Sequence, residues 1–100
     1  MHTAQLRLKL DRMLVLLRDY NEPHWYEYFS ESGRLLSAGE INRAQKHIRC
    51  AYGGMGSFSD ALYFTGAPAE VAREGYALRD ELYALSEPRG FFASLFSSKS

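Results

Sequence analysis

LRLKLDRMLVLLRDY, residues 6–20, is the stretch whose reading decides the fold. Leu6, Leu10, Met13, Leu14, Leu17 and Tyr20 recur at about 3.6 residues per turn, so the spacing predicts an amphipathic helix over residues 3–20. Leu8 and Val15 lie on the other side, among Arg7, Asp11, Arg12, Arg18 and Asp19, and call for a second cover. The longest apolar run, Met13 to Leu17, is too short for a signal-peptide core or a membrane span.

Outward from this helix the same period continues. Asn21 and Pro23 break the chain and start a helix over 23–38, carried by Trp25, Tyr28, Phe29, Ser32, Leu35 and Leu36 and ended by Gly39. Gly33 falls inside it at a cost of roughly 1 kcal/mol relative to Ala; a break at Gly33 is the alternative. Ile41, Ala44, Ile48, Ala51 and Tyr52 mark the inner face of a third helix, with Arg43, Lys46 and Arg49 outside it. Gly53-Gly54 ends that helix, and a short one is expected over 58–64. Pro68 opens the last long helix, with Val71, Gly75, Leu78, Leu82 and Leu85 on its main stripe and Ala72, Tyr76 and Tyr83 beside it. No strand-like alternation and no internal repeat occurs. The expected class is all-α: an antiparallel bundle of about four helices, one of them short, in a single domain over 1–88, followed by an apolar, Ser-rich tail over 89–100.

Composition narrows the function. Twelve Lys and Arg balance twelve Asp and Glu, so no bulk positive field draws the chain to nucleic acid, and no nucleic-acid partner is expected. One cysteine, Cys50, excludes an internal disulfide and fits a reducing, cytoplasmic setting. Seven tyrosines among fourteen aromatics exceed what a small core needs and point to a partner surface.

The turn YGGMGSFSD, residues 52–60, lacks the lysine and preceding strand of a phosphate-binding loop and the spacing of a dinucleotide fingerprint. It reads first as a chain reversal in which Ser57 and Asp60 cap the following helix. Its amides also offer a small-anion or small-molecule site, with His24, Trp25, Gly54, Met55, Gly56, Ser57 and Asp60 as the candidate residues. His24-x-x-Glu27 and His47-x-x-Cys50 supply two ligands each where zinc takes three or four, so no metal is expected, and no cofactor. Ser57, Ser59 and Cys50 show no base and orienting acid in the sequence, and Cys50 reads as buried packing; no catalytic residue is assigned and an enzyme is disfavoured.

The candidate partner surface comprises Tyr26, the basic ridge Arg43, Lys46 and Arg49, and the tail residues Phe91, Phe92, Leu95 and Phe96. Glu22, Glu27, Glu31 and Glu40 make the segment before the ridge acidic. The tail is expected to fold over Leu8 and Val15, to dock into another chain or, least of all with so few flanking cations, to touch a membrane surface.

LLRDYNEPHWYEYFSES, residues 16–32, and INRAQKHIRCAYGGMGSFSDALY, residues 41–63, resemble a small bacterial family with an His-Trp pair on the second helix and a GGMGS-x-x-D turn after the third. The matching positions are His24, Trp25, Gly53, Gly54, Met55, Gly56, Ser57 and Asp60, and the similarity runs from about residue 14 to 85, leaving the tail outside. The resemblance implies a bacterial source and a compact helical domain, and carries no established activity. Together these readings give a small protein-interaction domain, of immunity or inhibitor type or self-associating; the alternative is a small-molecule or anion-binding domain, or an enzyme, built on the glycine turn from Tyr52 to Asp60.

Overall fold

The computed structural model describes residues 2–52, 64 and 66–87. The expected short helix over 58–64, the glycine turn and the apolar tail therefore lie outside the described residues, apart from Tyr52 and Phe64. The described residues form four helices: α1 (His2–Asp19), α2 (Pro23–Ser37), α3 (Ile41–Arg49) and α4 (Ala69–Ser86). Among the described residues every regular element is a helix, and the protein is an all-α antiparallel bundle. Each helix packs on two others, α1 on α2 and α4, α3 on α2 and α4, which closes the four into a ring.

The connections explain why the chain turns so tightly. Asn21 takes a left-handed φ of 61° and the Glu22 amide donates to the Leu17 carbonyl at 2.9 Å, closing α1 with a helix-ending motif in which Asn does the work of glycine. Gly39, at φ 82°, repeats the solution after α2: its amide reaches the Leu36 carbonyl at 3.1 Å and the Glu40 amide reaches Leu35 at 2.9 Å. Each reversal leaves three residues between helices, 20–22 and 38–40, so neighbours run antiparallel.

Leu6, Leu10, Met13, Leu16 and Leu17 of α1 are buried against Phe29, Leu35 and Leu36 of α2, Ala44 and Ile48 of α3, and Leu78 and Leu82 of α4. Each of the larger side chains, Leu, Ile, Met and Phe, contributes roughly 1.5–3 kcal/mol through removal from water. Leu16, absent from the expected stripe, is buried, while Leu14 is only half-buried, because α1 faces both α2 and α4 and its apolar stripe is correspondingly wide. Leu8 stays 66 % exposed among the described residues. Tyr83, expected in a second apolar stripe, is exposed instead, leaning on Tyr52 with ring centroids 5.0 Å apart. α2 runs unbroken through Gly33, which is buried against Arg7 and Leu10 of α1.

Phe64 departs most from expectation. Assigned by sequence to a short helix, it has a left-handed φ of 49° and is buried, its ring 5.6 Å from that of Tyr76 and pressed onto Gly75 of α4. Its amide donates to the Glu22 carboxylate at 3.4 Å, tying it to the α1–α2 connection. Burial of an aromatic ring outweighs the backbone cost, about 1–3 kcal/mol, of the unusual φ.

Candidate functional site

The C-terminal half of α3 organises the polar chemistry of the molecule. On its inner side Gln45 and Arg49, one turn apart, both reach the end of α4. Gln45 Nε2 donates to the Leu85 carbonyl at 3.1 Å and to that of Glu87 at 3.5 Å, and an Arg49 guanidinium nitrogen donates to the Ser86 carbonyl. α4 has no basic residue in its own last turn, so α3 supplies both the donors and the positive charge that the carbonyl end of a helix favours. Arg49 therefore leaves the outer ridge on which its spacing placed it. Gln45 is buried, a residue that periodicity alone did not mark.

Facing α2, the His47 imidazole stacks on the Tyr28 ring with centroids 4.0 Å apart and planes 15° from parallel. The Tyr28 hydroxyl donates to the His47 carbonyl at 2.6 Å, and the Ser32 hydroxyl shares a 2.7 Å hydrogen bond with Nδ1 of His47. Burial lowers the pKa of His47, against an upward pull from Glu31, so the ring is neutral near pH 7. Burial also raises that of Tyr28, with the nearby Cys50 adding to the effect. A serine hydroxyl against an imidazole is the geometry of an activated nucleophile. Ser32, however, is fully buried, and a substrate carbonyl has no approach to its oxygen. The pair locks α2 to α3.

Outside this lock lies an open groove of about 380 Å³, lined by Leu35 of α2, by Arg43, Lys46 and His47 of α3, and by Cys50 just beyond it. Cys50 is exposed, which corrects the expectation of a buried, inert thiol: the helix ends at Arg49 and Cys50 sits at its solvent-facing rim. The positive charge of the groove is only loosely compensated. Arg43 is 71 % exposed and forms a long ion pair with Glu40 at 3.9 Å, while Lys46 has no ion pair among the described residues. By contrast Arg7, Lys9, Arg12, Arg18, Arg34 and Arg79 each hold a carboxylate oxygen within 3.4 Å. Glu31 is engaged by Arg34, whose hydrogen bond holds its pKa below the usual carboxylate range and keeps it ionised, with weaker attractions to His47 and Arg43.

The remaining sequence-predicted residues are dispersed. Tyr26 is half-buried and lines a separate recess of about 150 Å³ with Leu17, Arg18, Asn21, Glu22 and Pro23 at the α1–α2 turn. His24 is exposed, its ring edge-on to Trp25 at 4.6 Å, and Trp25 itself belongs to the core. Gly54, Met55, Gly56, Ser57 and Asp60 of the turn and Phe91, Phe92, Leu95 and Phe96 of the tail lie outside the described residues. Among the described residues no group of three or more His, Cys, Asp or Glu is placed to hold a metal, and no helix is long and apolar enough to cross a membrane.

Residues 18–70, more than half of the chain, match the family described as a domain of unknown function (DUF6966). The chain belongs to the DUF6966 family. No curated protein and no solved structure matches it. The matched DUF6966 segment holds α2, α3 and all five groove residues, whereas most of α1 and α4 lies beyond it.

Proposed function

We propose that this DUF6966 protein is a small bacterial protein-interaction domain, acting in the cytoplasm by holding another polypeptide or a second copy of itself, in the manner of an immunity or inhibitor protein. The observation that carries the reading is the α2–α3 groove, which the apolar Leu35 lines together with two exposed cations, Lys46 without an ion pair among the described residues and Arg43 with only a long one, 3.9 Å, to Glu40. Charge left loosely compensated beside an apolar side chain supplies steering and specificity for a partner more than stability for the fold. The only serine–imidazole pair among the described residues is closed to substrate, which favours binding over catalysis.

Two measurements test this. Light scattering behind size exclusion reads self-association at micromolar concentration. Cross-linking from Lys46 in the native host, identified by mass spectrometry and compared with an Arg43→Glu/Lys46→Glu variant, reads a partner. A specific cross-linked protein, lost in the variant, or a dimer that the variant dissociates, is expected. A strict monomer giving the same cross-links with both chains overturns the reading.

A further inference from the structure

We infer that the α2–α3 groove docks a peptide segment in which acidic side chains flank a single large apolar one. The inference rests on the interaction reading above and names the partner's chemistry. Three observations converge. At about 380 Å³ the groove falls within the roughly 300–1,000 Å³ range of ligand-sized sites, but it is open to solvent, which suits a docked peptide better than an enclosed small molecule. Leu35 and His47 line it, and the His47 ring is held by stacking on Tyr28 and by the Ser32 hydrogen bond, so an apolar side chain meets a surface largely in place before binding. Its cations are Arg43 and Lys46: Lys46 has no ion pair among the described residues and Arg43 only a long one, 3.9 Å, to Glu40, while most of the chain's other described cations hold a carboxylate within 3.4 Å. An acidic residue on either side of the apolar anchor completes both cations. A basic or neutral segment leaves them facing water or each other.

The probe is the capped pentapeptide Glu-Glu-Phe-Glu-Glu, titrated into the isotope-labelled full chain and followed by amide chemical shifts. Shifts are expected at Leu35, Lys46, His47 and Cys50, with affinity falling as salt rises and falling at least tenfold in Arg43→Gln/Lys46→Gln, a milder change at two exposed positions whose fold is checked by circular dichroism. The isosteric Gln-Gln-Phe-Gln-Gln and the anchorless Glu-Glu-Gly-Glu-Glu are each expected to bind at least tenfold more weakly. The proposal is overturned if the groove amides stay still, if the glutamine peptide binds as well as the acidic one, or if the double variant binds unchanged. Groove amides that do not move, in a chain that still cross-links specifically to a partner, remove this proposal and leave the interaction reading standing.

Discussion

The Phe64 ring occupies the space that any side chain on Gly75 would need: a Cβ built there would lie 2.9 Å from Cδ2 of the ring and closer still to two further ring carbons. Gly75 is thus held to its residue type by one neighbour distant in sequence. Gly75→Ala gains up to about 1 kcal/mol of helix propensity but forces the buried ring to move, a cost of roughly 1–3 kcal/mol or more. Net destabilisation is expected in urea denaturation, and Phe64→Leu, poor alone, is expected to cost less in the Gly75→Ala background than in the wild type. Additive effects would show that the two do not touch.

Gly33 has the opposite fate. A Cβ there meets Arg7 Nη1 at 3.7 Å and Leu10 at 3.8 Å, ordinary contact distances. Gly33→Ala is expected to stabilise the protein by about 0.5–1 kcal/mol, from helix propensity and a less flexible unfolded chain. A lower midpoint in the same denaturant assay would show that the hydrogen bond from Arg7 to the Gly33 carbonyl, 3.3 Å long, is lost when α1 and α2 separate.

The Gln45 and Arg49 contacts predict local fraying. Gln45→Leu and Arg49→Ala each remove a donor from the carbonyl end of α4, and each is expected to cost about 1–2 kcal/mol. Amide hydrogen exchange at Leu82 to Glu87 is expected to quicken more than that at Leu10 or Phe29. Uniform loss of protection across the chain would mean that the contacts serve the whole fold and not the helix end.

His47 makes stability depend on pH. Burial lowers its pKa in the folded state, so the unfolded chain binds the proton first as pH falls. Its contribution is fully present above the unfolded value, about 6.5, and is lost as pH drops from there through the folded value. Glu31 and Glu74, held below the usual carboxylate range by hydrogen bonds from Arg34 and Arg12, lose their contributions only below the unfolded value of about 4.3. Denaturation midpoints are expected to fall between pH 7 and 5.5 in the wild type and to stay flatter in His47→Gln. Equal slopes would assign the effect to other groups.

Local pattern determined the helices of this protein. Leu6, Leu10, Met13 and Leu17 announce α1 by their spacing, Asn21 and Gly39 announce the two reversals by their tolerance of positive φ, and Pro23 marks where α2 begins. These depend on a residue and its near neighbours, so a single sequence displays them. The His47-x-x-Cys50 spacing likewise places both residues on one face of the helix and its end, and both line the groove.

Only the tertiary structure decided which polar groups meet. Ser32 and His47, Gln45 and Leu85, Phe64 and Gly75 are separated by ten or more positions, and no period in the chain links them. Arg49 reads as one more cation on an exposed ridge until the carbonyl end of α4 arrives beside it, and Cys50 reads as core until the end of α3 turns it outward. Helix formation is dictated within a few residues by periodicity and caps. The meeting of side chains from different helices depends on how the rods are rotated and stacked, which the whole core sets at once.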